Sequence, residues 1–295
     1  MMQILVSVIV PVYNGETYID SCLKSLMSQS FPKNRYEIIV VDNCSTDNSA
    51  IIAKQYDVSI IKETQKGSYA ARNKGIGQAR GKIIAFTDID CIASPYWLEQ
   101  AVKFLSNNPT VEVLAGQVEF FSQGPLTVWG FFDRNTFLNQ EYSFKSGVAK
   151  TANLFVSSSV FKKIGYFNDQ LVSGGDVYWT AEAVSKGASI GYEPKAVVYH
   201  PVRNNFNEVA QKCFRVGIGK GQIIRKGKNE NSSSNLGLNH LIHPFKLLKD
   251  TIANKEKGKT FIYSLYMIFV VIILGLIFLS GIIKGLFIRR SNKII

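Results

Sequence analysis

Residues 83–90 read Ile-Ile-Ala-Phe-Thr-Asp-Ile-Asp, an apolar run that passes directly into two carboxylates, Asp88 and Asp90, one residue apart. Such a run reads as a β-strand whose carboxyl end opens on a polar rim. Two carboxylates buried there without partners would each cost several kcal/mol, so a positive neighbour is expected. A divalent cation shared with substrate phosphate oxygens meets that need, Mn²⁺ and Mg²⁺ both preferring oxygen ligands. An isolated Asp-x-Asp also serves as an ordinary strand-end turn, and the neighbouring strand ends decide between the two. Just beyond it, Ser94 and Pro95 mark the start of a helix, with Tyr96 and Trp97 read as packing anchors.

Working outward, short β-branched runs at Leu5–Val10, Glu37–Val41, Val58–Ile61 and Val111–Ala115 alternate with helical patterns. That alternation predicts parallel strands joined by crossover helices. Tyr18, Ile19, Cys22, Leu23, Leu26 and Met27 recur at helical spacing after Asn14, a cap-type residue, and a second helix fits Ser68–Arg80. Ligands of such sheets bind at the carboxyl ends of the strands, which read Pro11-Val12-Tyr13-Asn14, Asp42-Asn43-Cys44-Ser45 and Thr87-Asp88-Ile89-Asp90. Asp42 adds a third carboxylate to that rim, suited to a base imide or a ribose hydroxyl, or to a turn. Lys66, Arg72 and Lys74 surround a Gly- and Ala-rich helix start where phosphates could sit.

From Val118 the alternation fades into an aromatic-rich strand and helix. Next come a strand and short helix across residues 151–167, a helix opening at Gly174-Gly175-Asp176, and strands at Ala188–Tyr192 and Ala196–Tyr199.

Four blocks in this order, SVIVPVYNGETYIDSCLKSLMSQ, YEIIVVDNCSTDNS, GSYAARNKGIGQARGKIIAFTDID and PYWLEQAV, resemble those of glycosyltransferase family 2. The resemblance is close from Val6 to about Leu105 and looser to His200. It implies an α/β protein with the GT-A fold, a mostly parallel sheet with flanking helices. It further implies an inverting transfer from a nucleotide-sugar donor, UDP-linked in the commoner relatives, to an acceptor hydroxyl. Pro11, Tyr13, Glu16, Asp42, Arg72 and Asp88 match donor-binding positions, Asp88 and Asp90 match the metal motif, and His200 matches a third ligand in some relatives. Asp176 matches the general base, although the position before it, often acidic in the family, is Gly175 here. The Gln-x-x-Arg-Trp block of processive synthases is missing, as no Arg-Trp pair occurs in the chain.

The expected layout is a catalytic domain at 1–200, with a nucleotide-sugar half at 1–115 and an acceptor-side half at 116–200. A basic linker at 201–260, a transmembrane helix at 261–283 and a basic tail at 284–295 follow. The helix rests on 23 residues without a charge, enough to cross a hydrocarbon core of roughly 30 Å. Residues 1–200 hold 18 Lys+Arg against 18 Asp+Glu, and residues 201–295 hold 16 against 4, so the whole net charge of +12 is C-terminal. Beside an apolar span, that charge fits anionic lipid headgroups better than nucleic acid, so membrane lipids and not nucleic acid are the expected partner. The strand-like start shows no charged leader, and the four cysteines form no disulfide or zinc pattern. A single-pass protein with its catalytic domain in the cytoplasm is therefore expected, acting on a glycan or lipid-linked acceptor. The rival reading is a catalytically silent nucleotide-sugar-binding or scaffold protein at the membrane.

Overall fold

A computed structural model describes residues 4–229 and 261–288. Two compact units are present. Of the described residues, the first comprises those within 1–121, 140–170 and 175–201, and the second those within 122–139, 171–174 and 202–295.

The first unit is organised by an eight-stranded sheet. Strands β1 (Val6–Val12), β2 (Tyr36–Asp42), β3 (Ser59–Lys62) and β4 (Ile83–Thr87) run parallel, with β1 between β2 and β4. Val8, Ile9, Val10, Ile39, Val40, Ile84, Ala85 and Phe86 are all buried, as expected of strands covered on both faces. Beyond β4 come β7 (Asn153–Ser157), β6 (Val113–Phe121), β8 (Ile190–Pro201) and the two-residue β5 (Ile92–Ala93). The sheet is mostly parallel, as expected, and β7 is the exception, lying antiparallel to both β4 and β6. The two strands expected at 188–199 are one continuous β8, whose pairing with β6 shifts register between Gly116 and Gln117.

Helices α1 (Glu16–Met27), α2 (Ser49–Ala53), α3 (Ser68–Gln78), α4 (Trp97–Asn107), α6 (Gln140–Lys145), α7 (Ser158–Ile164) and α8 (Gly175–Ser185) also belong to this unit. α3 lies close on β1 because a Cβ at Gly75 would sit 2.6 Å from Ile9 Cγ2. The expected cap at Asn14 is not used. Gly15 is the residue before α1, and the Asn14 side chain instead accepts from Thr46 N–H at 2.8 Å. α4 likewise begins at Trp97 and not at Pro95, with Tyr96 before it and no side-chain cap. The aromatic pair divides: Trp97 is fully buried and donates from Nε1 to Asn153 Oδ1 at 2.8 Å, while Tyr96 is 58% exposed and anchors nothing.

The second unit contains α5 (Val128–Thr136), α9 (Phe206–Asn229) and α10 (Phe261–Phe287). The stretch read as a connector is therefore helical over α9. Its low-complexity part from residue 230 and the basic tail from residue 289 lie outside the described residues. Phe132, Val209, Cys213, Val270, Val271 and Leu274 form the unit's apolar core. Within it Lys212 donates to the fully buried Asp133 at 2.7 Å, and Arg203 N–H donates to the other carboxylate oxygen at 3.1 Å.

Burial opposes charge on both partners. At Asp133 the nearby Lys212 and Arg203 outweigh it and hold the carboxyl below the usual range. For Lys212 burial wins over Asp133 and lowers the ammonium. Asp133→Asn would leave Lys212 buried without its counter-charge, and should lower stability by about 3–5 kcal/mol in urea denaturation.

Candidate functional site

The carboxyl ends of β1, β2 and β4 form one rim, because register places Val12 opposite Asp42 and Ile9 opposite Phe86. The expected donor-binding residues lie on or beside it. Pro11 lies within β1 and Tyr13 just past its end, 54% exposed. Asp42 is buried at the end of β2, where Oδ1 accepts from Ser45 N–H at 3.0 Å and closes the turn. Glu16 opens α1 and is occupied with the facing loop: it accepts from Asn48 N–H at 3.1 Å and Nδ2 at 2.9 Å, while Asp47 accepts from Glu16 N–H. Asn14 and Cys44, at φ 50° and 67°, turn the chain sharply at these two strand ends.

Arg72 is buried on α3 and pairs with Asp88 Oδ1, so the nearest positive partner of the first carboxylate is an arginine of the chain itself. Its Nη1 also donates to Ser68 O at 3.3 Å. Its Nε is buried without a hydrogen-bond partner. Lys66 and Lys74 are exposed and do not join Arg72 in the interior.

Asp90 takes a different partner. His200, buried near the end of β8, holds Nε2 3.3 Å from Asp90 Oδ2. Its Nδ1 lies 2.7 Å from the carbonyl oxygen of Pro201, which can only accept, so the ring proton sits on Nδ1. In the neutral ring Nε2 then presents a lone pair beside the carboxylate. An imidazole nitrogen and a carboxylate oxygen at this spacing fit a divalent ion of the Mn²⁺ kind. Among the described residues no three His, Cys, Asp or Glu side chains are arranged to hold a metal ion, and Asp88 is paired with Arg72. Cys22 and Cys91 flank the acidic pair, but burial and the nearby carboxylates push both thiols well up and keep them protonated.

At the start of α8, Asp176 accepts four hydrogen bonds. Oδ1 accepts from Tyr69 O–H at 3.0 Å and from Val177 N–H at 2.9 Å. Oδ2 accepts from Thr151 N–H at 3.0 Å and Thr151 O–H at 3.2 Å. Burial raises the Tyr69 hydroxyl and Asp176 adds to it, so the phenol stays neutral and donates. The same phenol oxygen accepts from Gly175 N–H at 2.8 Å. The Arg72 guanidinium lies 5.7 Å from the Tyr69 ring centroid, so an unbroken line of contacts runs Asp88, Arg72, Tyr69, Asp176.

Tyr69 and Thr151 carry no mark in the sequence. Tyr69 stands three positions before Arg72 on one helix face, the single hint available, whereas Thr151 lies in a turn whose partner is 25 residues away.

A sheet with Asp-x-Asp at the end of its fourth strand, and an aspartate-led helix beside it, is the GT-A architecture of sugar-transferring enzymes. The chain belongs to glycosyl transferase family 2, whose family model matches residues 7–165. It is 42% identical over 225 residues to the glycosyltransferase AglE of Haloferax volcanii, covering 74% of this chain and 73% of that one. Among solved structures, the mannosyltransferase PcManGT from Pyrobaculum calidifontis, in complex with GDP-Man and Mn²⁺, has a TM-score of 0.65 at 17% identity, over 97% of this chain and 88% of that one. Staphylococcus aureus TarS in complex with UDP-GlcNAc has a TM-score of 0.59 at 22% identity, over 92% and 81%. These structures share the fold.

Tyr69→Phe removes one donor to Asp176 and leaves the buried Gly175 N–H without its acceptor. The expected loss is about 1–3 kcal/mol in urea denaturation, and an unchanged midpoint would show that the network does not form in solution.

Proposed function

We propose that this glycosyltransferase moves a sugar from a nucleoside diphosphate sugar, with uridine the base favoured by resemblance, to the hydroxyl of a glycan or lipid-linked acceptor, with inversion. The line of contacts from Asp88 through Arg72 and Tyr69 to Asp176 is the observation that carries this reading. It joins the two ends the reaction needs, an Asp88–Arg72 pair on the donor side and a carboxylate for the attacking hydroxyl.

Donor binding falls to the rim. Asp42 and the clamped loops after β1 and β2, with Pro11, Tyr13 and Glu16, receive the nucleoside, and Asp88 is presented to the donor by Arg72. Asp90 and His200 would hold Mn²⁺ or Mg²⁺, which when bound stabilises charge on the diphosphate. PcManGT, bound to GDP-Man and Mn²⁺, offers a precedent for a divalent ion on this fold. Arg72 fixes the position of Asp88, and its burial leaves little to reorganise.

Asp176 acts as general base. A carboxylate offers about four acceptor sites, and all four are used, the longest by the Thr151 hydroxyl at 3.2 Å. The acceptor hydroxyl displaces that contact. As its oxygen bonds to the anomeric carbon, its proton passes to Asp176, and the carbon–oxygen bond to the diphosphate breaks with the electron pair leaving on the nucleotide. Tyr69 and Thr151 N–H hold the carboxylate through the step.

The acceptor is proposed to be membrane-bound. A helix of high hydropathy at residues 268–287, with Lys284 its single charge, and the C-terminal surplus of basic residues support this.

Asp176→Asn should keep donor affinity, measured by titration calorimetry, and lose transfer by about 10² or more; unchanged turnover would refute the base. Asp90→Ala and His200→Ala should each raise the Mn²⁺ concentration for half-maximal donor hydrolysis by about 10-fold or more. Chelation of divalent ions should abolish hydrolysis in the unaltered enzyme, and full activity in chelator would remove the metal from the scheme.

A further inference from the structure

The uncharged run of α10 suggests an upright crossing of the bilayer, but its neighbours in the second unit point elsewhere. α9 and α10 run side by side and in the same direction. A Cβ at Gly281 would sit 2.3 Å from Phe214 O and one at Gly285 2.1 Å from Ile218 O. In return, a Cβ at Gly217 would sit 2.2 Å from Phe278 O and one at Gly221 2.2 Å from Ile282 O. The two backbones therefore touch through paired Gly-x-x-x-Gly faces. One turn on, Arg225 Nη1 donates to Ile288 O at 2.6 Å, and at the other end Val209 and Cys213 pack with Val270, Val271 and Leu274.

The helices that accompany α10 are charged at its middle. Asp133 and Lys212 lie there, with Lys212 Nζ 5.5 Å from the Phe137 ring centroid, itself 6.4 Å from that of Phe278. An upright α10 would carry this ion cluster, with Arg203 and the exposed Arg215, to bilayer depth, where charges are strongly disfavoured. The opposite face is different: Phe269, Ile272, Leu276, Leu279, Ile283 and Phe287 are exposed and recur every three or four residues. They make one apolar stripe, while Val270, Val271, Leu274 and Ile282 are buried on the other side.

We propose that α10 does not cross the membrane but lies in the plane of one leaflet, its stripe sunk at the boundary of headgroups and acyl chains, with α5 and α9 on the aqueous side. The occupant of the stripe is an anionic phospholipid leaflet, to which the 16 basic against 4 acidic residues of 201–295 are complementary. A one-sided apolar helix backed by charged helices is the arrangement such a leaflet accepts. The inference rests on the membrane association proposed above and deepens it.

The test uses the full chain in a Cys44→Ser background, since the other three cysteines are buried. Single cysteines are introduced as Ser233→Cys and Asn292→Cys, one before and one after α10. In sealed inside-out vesicles from expressing cells, a membrane-impermeant maleimide should label both equally. Labelling of Asn292→Cys only after detergent would establish a crossing and overturn the in-plane arrangement alone. Spin labels at positions 269, 276 and 283 should report equal depth within the leaflet, whereas depth peaking at 276 would also overturn it. Release of the protein from the vesicles by carbonate, with no flotation on phosphatidylglycerol vesicles, would instead sink membrane association itself. Leu276→Cys disulfides between copies, with no lipid contact at the spin labels, would replace the leaflet by a second chain.

Discussion

Parallel pairing of β1 with β2 and β4 is the constraint on which the candidate site depends. These strands are buried on both faces, so a polar side chain along them needs a partner, as Ser7 has in Glu37, and most polarity is displaced to their ends. Register then brings those ends level. Asp42, the turn after Val12 and the Asp88-Ile89-Asp90 segment gather at one edge because hydrogen bonding leaves them no other place.

Once gathered, the carboxylates are distinguished by their partners. Asp88 pairs with a buried arginine, Asp90 stands beside an imidazole, and Asp176 is surrounded by neutral donors. An arginine partner neutralises its carboxylate within the chain, an imidazole nitrogen beside a carboxylate suits a shared ion, and neutral donors orient a carboxylate without supplying opposite charge. Asp88, Asp90 and Asp176 thus take three chemical characters, set by what each neighbouring strand or helix carries to that point. In the second unit the same rule of compensation governs Asp133, whose burial is tolerable only beside Lys212 and Arg203.

Much of this was legible in the chain. The apolar runs announce β1 to β4, and four ordered blocks announce the family, because strand ends and turn chemistry are local in sequence. The antiparallel β7 was not legible, since Asn153–Ser157 has the same apolar character whichever way it pairs. Nor were the caps at Asn14 and Ser94, where long-range contacts outcompete local ones: Asn14 serves a loop more than 30 residues away, and Pro95 O accepts from Ser30 N–H. Tyr96 and Trp97 are equivalent as letters, yet one is exposed and the other buried, because the helix begins between them and turns only Trp97 into the core.

The sequence by itself determined the family, the acidic rim and the presence of a long uncharged helix behind a basic region. The family follows from the resemblance of four ordered blocks, and the rim and the helix from composition and spacing within a few tens of residues. Only the tertiary structure decided that Arg72 belongs to Asp88, that His200 belongs to Asp90, and that Tyr69 and Thr151 hold Asp176. Those pairs join residues 16 to 110 positions apart, and no local periodicity encodes them. It also decided that α10 is lined on one side by α9. Two glycines four apart reveal a close approach only when the facing backbone is known.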